Sequence, residues 1–171
     1  ETNDFTITID VDNSTSLTSN DEVTWNGASP VTGLIFGTTA FDQIDAAITN
    51  ASSGDIIYLA ASIYTEAGIT IGKDLTIEGE EATTTIIQAH ANEGQATDRV
   101  FSISTDFTVT IKNVTIRHGK TDDGGGGILN AGVLTLEDCI ISNNNAKHGG
   151  GIYHNRNDIL MVRNSILRDN K

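Results

Sequence analysis

The chain has 171 residues, enough for one domain with a real core. Ten Lys and Arg stand against 23 Asp and Glu, a formal charge of −13, and this argues against a nucleic-acid groove or an anionic membrane surface, both of which reward basic stripes. No apolar run reaches the ~18 residues of a membrane span, and a single cysteine, Cys139, excludes an intrachain disulfide framework.

The 22 Ile and 23 Thr, with one Pro, make the chain rich in β-branched residues. Such side chains favour strands. Glu1 is not preceded by a basic-then-apolar leader, so the chain reads as a processed secreted product or a piece of a longer polypeptide.

Residues 1–37 form a strand-rich extension or cap, alternating in Phe5-Thr6-Ile7-Thr8-Ile9 and again around Val23-Thr24-Trp25. Asp10-x-Asp12-x-Ser14 resembles the start of a calcium loop but lacks its central Gly and closing Glu, which leaves Asp10 and Asp12 as weak metal candidates. Asn13 begins an Asn-x-Ser/Thr triplet, a glycan acceptor in a glycosylating host.

The second segment, 38–171, opens on a helix. Phe41, Ile44 and Ile48 share one helical face, so a short amphipathic helix is predicted over Phe41–Ala51. Thr38 or Thr39 would cap it, Gly54 would close it, and Asn50 begins a second acceptor triplet. Its natural place is a lid over the first rung of the strands beyond it.

The sequence after the helix repeats. Val109-Thr110-Ile111-Lys112-Asn113 aligns with Leu134-Thr135-Leu136-Glu137-Asp138 and with Leu160-Met161-Val162-Arg163-Asn164, at steps of 25 and 26 residues. Leu75-Thr76-Ile77-Glu78-Gly79 is an earlier copy, 34 residues before Asn113, with Glu80–Arg99 expected to loop out. Each copy continues in alternating residues: Val114 and Ile116, Cys139 and Ile141, Ser165 and Leu167. A third column holds Phe101 and Ile103, then Gly127–Asn130, then Gly151–His154. Three short strands per repeat describe one rung of an all-β fold, a right-handed parallel β-helix, with rungs about 4.8 Å apart.

This register assigns the remaining residues. Gly79, Asn113, Asp138 and Asn164 form a ladder at the first bend, where Asn tolerates left-handed backbone and can bond its copy on the next rung. Gly124–Gly127 and Gly149–Gly151 supply corners; without a following helix or a Lys-Ser/Thr pair they are not a phosphate loop. Asp122 and Asp123 read as a polar loop tip.

Phe41–Ala51, Gly54-Asp55-Ile56-Ile57-Tyr58-Leu59-Ala60, Tyr64-Thr65-Glu66 and Ile69-Thr70-Ile71 resemble the opening of pectate-lyase-like right-handed β-helix proteins. The Gly-Gly-Gly-Ile and Ile-Ser-Asn-Asn segments are similar to repeats of polymorphic outer-membrane and other surface adhesin-type proteins. That resemblance implies the fold over about residues 38–171. It leaves activity open, because the fold hosts lyases, esterases, hydrolases and adhesins.

Pectate lyases resembling this chain hold Ca²⁺ with clustered carboxylates beside an Arg base. The acidic residues here, Asp106, Asp122, Asp123, Glu137 and Asp138, fall at different rung positions, and Lys112, Glu137 and Arg163 stack with alternating sign, as a solvated ion-paired face would. Asp122 and Asp123 join Asp10 and Asp12 as weak calcium candidates, and no cofactor is otherwise implied. The Arg117-His118-Gly119-Lys120 and Glu137-Asp138-Cys139 elements match a hydrolase set only superficially, and His118 and His148 each precede a Gly at a corner. Cys139, in one column with Val114 and Ser165, reads as a buried thiol. Tyr58, Tyr64, Tyr153 and Trp25 give no contiguous sugar platform.

The last rung reaches Lys171 with no amphipathic segment after it, and an uncovered strand edge templates pairing. The expectation is a secreted, non-enzymatic structural or adhesive module at the cell surface. It would meet other copies, or further rungs, end to end, and surface polysaccharide is a further partner. The alternatives are the N-terminal piece of a polysaccharide lyase or hydrolase, or a carbohydrate-binding module without turnover.

Overall fold

A computed structural model describes residues 43–155 and 158–171 in full, together with the backbone of residues 7–10, 22–25, 35–36 and 40–41. The chain divides into two units, Glu1–Val31 and Thr32–Lys171. In the first, β1 (Ile7–Asp10) and β2 (Glu22–Trp25) pair antiparallel, with Ile7 opposite Trp25 and Asp10 opposite Glu22.

The second unit begins with β3 (Ile35–Phe36), β4 (Ala40–Phe41) and α1 (Ile44–Asn50). The first coil then runs β5 (Ile56–Leu59), β6 (Ile63–Thr65), β7 (Ile69–Ile71). The second is β8 (Leu75–Gly79), β9 (Ile86–Gln88), β10 (Phe101–Ile103), and the third β11 (Thr108–Lys112), β12 (Thr115–Arg117), β13 (Lys120–Gly124), β14 (Ile128–Asn130). The fourth is β15 (Val133–Glu137), β16 (Ile140–Ser142), β17 (Asn145–His148), β18 (Ile152–His154), followed by β19 (Leu160–Arg163) and β20 (Ile166–Arg168).

Equivalent strands of successive coils pair in parallel. One sheet is ordered β18-β14-β10-β7, a second β19-β15-β11-β8-β5, a third β20-β16-β12-β9-β6. This is a right-handed parallel β-helix, the hand that parallel crossovers take. Ile111 stands beside Leu136, and Leu136 beside Val162, in one file. The core is that file and its counterparts: Ile57, Ile77, Ile111 and Leu136 from the second sheet, Ile87, Ile116 and Ile141 from the third, Phe101 and Ile128 from the first, each at most 2 % exposed. Alternation buries every second residue because successive side chains point to opposite faces.

Several features differ from the sequence reading. The helix starts at Ile44, whereas Phe41 lies in β4 opposite Ile35, and β3 in turn pairs antiparallel with β5. Thr38 and Thr39 lie outside the described residues; the cap position is Gln43, which makes no side-chain cap bond. Instead the Glu66 carboxylate accepts from Ile44 N at 2.7 Å and Asp45 N at 3.1 Å. A distant anion does the work of a local cap, satisfying orphan N–H groups at the positive end of the helix. At the other end Ala51 closes the helix, and Gly54, at φ 94, belongs to the turn beyond it.

The stretch expected to loop out, Glu80–Arg99, contains β9, with Ile87 fully buried. Only its second half leaves the coil. Asp122 and Asp123 are not a loop tip: they lie within β13, which pairs with β17 in a fourth, short sheet. The register there shifts between Thr121 and Gly124, so the two aspartates bulge opposite Lys147.

The bends also depart in detail. Asn113, Asp138 and Asn164 share a column and are left-handed, at φ 58, 52 and 49. Gly79 stands in the same column without a left-handed φ. It is glycine because a Cβ there would press into Asn113 O and lie 2.7 Å from Val114. A second left-handed column, His118, Asn143 and Asp169, ends the third sheet at φ 60, 55 and 56. Hence His118 and His148 do not repeat one turn, since His148 stands opposite Gly124. The glycine corners turn at Gly125 and Gly149, with φ 71 and 54.

Candidate functional site

The outward residues of the sheets form columns, because parallel in-register strands place each side chain over its copy. On the second sheet the column reads Tyr58, Glu78, Lys112, Glu137, Arg163. Lys112 Nζ sits 2.9 Å from Glu78 and Arg163 3.2 Å from Glu137. The hydrogen bond to Glu78 pushes the Lys112 ammonium above its usual range. On the third sheet, Gln88 donates to Thr65 Oγ1 at 2.9 Å and accepts from Arg117 Nε and Nη2 at 3.0 and 2.8 Å. These outward groups are engaged with the neighbouring coil.

At the bend after the third sheet, an asparagine ladder runs inside the coil. Asn144 Oδ1 accepts from Gly119 N at 2.9 Å, while its Nδ2 donates to Ile116 O and Asn170 Oδ1, each at 3.1 Å. Asn170 Nδ2 repeats the pattern on Ile141 O at 2.9 Å. The predicted ladder residues Asn113, Asp138 and Asn164 contribute left-handed backbone instead. The amides that stitch the coils sit one bend later, because there the side chain turns into the coil and reaches carbonyls of the preceding rung.

Residues 89–99 strap across the fourth sheet. Lys120 N donates to Asp98 O at 3.0 Å, in the place of a missing strand, and Lys120 Nζ reaches Gly94 O at 3.1 Å. His118 Nδ1 lies 3.0 Å from His90 O. Lys171 Nζ bonds Glu93 at 2.9 Å, which lowers the Glu93 carboxyl and raises the Lys171 ammonium relative to their ordinary values. Arg99 spans the glycine corner, donating to Gly124 O at 3.2 Å and Gly125 O at 3.3 Å. The strap contacts, like Arg99 and Gln88, carry no sequence signature, since their partners are about 20 to 80 residues away along the chain.

Among the described residues the candidate metal ligands do not come together. Asp10 is on β1, in the other unit; Asp12 lies outside the described residues; Asp122 and Asp123 are exposed on β13. Asp106 is exposed at a left-handed turn, Asp138 is exposed at a bend, and Glu137 is paired with Arg163. Among the described residues no group of three or more His, Cys, Asp or Glu is placed to hold a metal ion.

Cys139 is 1 % exposed, and burial pushes its thiol up to about 11. Its Sγ lies 3.2 Å from Glu137 O, a contact that favours the protonated thiol. Of the aromatic residues, Tyr58 is exposed, Tyr64 is buried, and Tyr153 packs against His148 with centroids 6.4 Å apart. Asn13 lies outside the described residues, and Asn50 is exposed at the end of α1. Among the described residues no helix is long and apolar enough to cross a membrane.

The apolar inward column ends differently from how it runs. Val162 and Leu167 are 42 % and 49 % exposed, while their counterparts Leu136 and Ile141 are fully buried. Ile166 is 53 % exposed beside them.

No protein-family model and no curated protein matches the sequence. Among solved structures the chain is similar to a pectin methylesterase mutant crystallised with a hexasaccharide, at 17 % identity and a TM-score of 0.45. The match covers 64 % of this chain and 44 % of that one, so the chain spans under half the length of the enzyme it resembles.

Proposed function

We propose that the chain is a secreted structural or adhesive β-helix module that continues end to end through the coil formed by β19 and β20. The carrying observation is the pair Val162 and Leu167, apolar, inward and about half exposed where the same positions one coil earlier are sealed. Either a further coil or a second copy would cover them, and an apolar surface with strand edges around it favours such pairing. The ion-paired outward columns support a role in which polar groups hold coils together.

The test is sedimentation of the purified chain over a hundredfold concentration range. Association that rises with concentration, and that Val162→Glu with Leu167→Glu abolishes while the circular dichroism is kept, is the expected result. A strictly monomeric chain would sink the reading. So would turnover of acidic polysaccharides with Ca²⁺, followed through unsaturated products or new reducing ends, which belongs to a lyase or hydrolase.

A further inference from the structure

We propose that Asn50 is a site of N-linked glycan attachment on the folded chain, with a lipid-linked oligosaccharide as the donor. The sequence holds three Asn-x-Ser/Thr triplets, at Asn13, Asn50 and Asn113. Asn13 lies outside the described residues, and the fold treats the other two in opposite ways.

A transferring enzyme has to reach the asparagine amide and the hydroxyl two residues on, and the bulky glycan needs a surface position. Asn50 is the last residue of α1, Ala51 is extended at φ −67 and ψ 150, and Asn50 and Ser52 are both exposed. Asn50 Nδ2 donates to Ala46 O, a bond 2.9 Å long at the surface, where water can replace it. Lys73 Nζ binds the carbonyls of Thr49 and Ala51 at 3.2 and 2.7 Å, which holds the backbone on both sides of Asn50 without engaging its side chain.

Asn113 is the reverse case. Its backbone is left-handed, Val114 is fully buried, and Thr115, 6 % exposed, spends its hydroxyl on Ala82 O at 2.6 Å. Its own N–H is bonded to Glu137 O in the next coil. No enzyme can take that triplet without unstacking the coil.

In the transfer a bond forms between Asn50 Nδ2 and the anomeric carbon of the first sugar, and the bond from that carbon to the donor's phosphate oxygen breaks. The amide proton passes to a base of the enzyme, the lipid phosphate leaves, and nothing is oxidised or reduced. In the cell this rests on the extracellular reading, because the donor and enzyme work outside the cytoplasm.

The experiment treats the folded chain with a single-subunit oligosaccharyltransferase and a lipid-linked oligosaccharide, then maps glycopeptides by mass. A peptide of residues 46–54 serves as acceptor control. A glycan on Asn50, lost in Asn50→Gln and in Ser52→Ala, with Asn113 modified only in the unfolded chain, is the expected pattern. The proposal fails if the peptide is modified and folded Asn50 is not, if neither is, or if folded Asn113 is. A purified chain needs no compartment, so finding the protein in the cytoplasm would end the extracellular reading and leave this assay untouched.

Discussion

The buried polar side chains that matter here are few and fully engaged. Asn144 satisfies the Gly119 N–H, the Ile116 carbonyl and the Asn170 amide oxygen at once. Asn144→Ala leaves the Gly119 N–H of a sealed bend without its partner and removes a bond to the Ile116 carbonyl, at a cost of about 1–3 kcal/mol. The expected result is a lower urea midpoint with an unchanged slope. Glycine is as constrained: a Cβ on Gly126 would lie 2.5 Å from Asn145 O and 2.7 Å from Gly150 O, both backbone. Gly126→Ala therefore forces two coils apart and is destabilising, whereas at Gly94, which has open space, strain comes only from its φ of 75. Two buried acids set the alkaline limit. The Cys139 thiol is raised from 9.0 to about 11 and the Tyr64 phenol from 10.0 to about 12, both mainly by burial. Each holds its proton more tightly folded than unfolded, so its contribution is complete below the unfolded value and is lost as pH rises through the folded one. Stability should fall between about pH 9 and 11 through Cys139, then between about 10 and 12 through Tyr64. In Tyr64→Phe, thermal melts across the upper window should lose part of that slope, and a wild-type slope in the variant would contradict the assignment.

At the scale of strands, Leu136 in β15 is fully buried with a neighbour in each adjacent coil, Ile111 and Val162. Leu136→Ala should cost about 2–5 kcal/mol through lost burial and a residual cavity. Val162→Ala occupies the same column at 42 % exposure and should cost far less, a contrast that chemical denaturation of the two variants reads directly. The outward pairs are a smaller matter. Lys112→Ala against Glu78 should lose under about 1 kcal/mol, and added salt should shrink that loss, since both side chains are partly solvated. Strands with period-two alternation, such as Val109–Ile111 and Leu134–Leu136, were legible because one face is buried and the other is wet. β9 was not: three residues, of which only Ile87 points inward as an apolar group, cannot display a period. The helix start was misplaced for a related reason. Its cap is Glu66, 22 residues away, and local sequence cannot announce a partner from the next coil.

In the three stacked parallel sheets each strand from β5 to β20 pairs only with its copies one coil before and after, apart from β5, which also pairs with β3, so the stability of the sheets is close to a sum of coil and nearest-neighbour terms. Substitutions in the second and fourth coils, for instance Ile77→Ala with Ile141→Ala, should therefore add in their free energies, and a large coupling between them would show communication beyond neighbours. The charge of −13 opposes association and, through self-repulsion, the folded coil as well. Raising ionic strength should strengthen any joint between copies and raise the melting temperature, which thermal melts in a salt series would check.

By itself the sequence determined the repeat, the direction in which its alternating strands face and the columns that share a register, since a 25-residue period with alternating burial stacks those strands in parallel. It also carried the glycine corners and the left-handed asparagines, whose backbone needs are local. Only the tertiary structure decided which amides join the coils, where the strap from 89 to 99 is fastened, why Gly79 has no side chain, and which acceptor triplet faces solvent. Those outcomes depend on atoms brought together from different coils, and distance in space is not written in the spacing of residues along the chain.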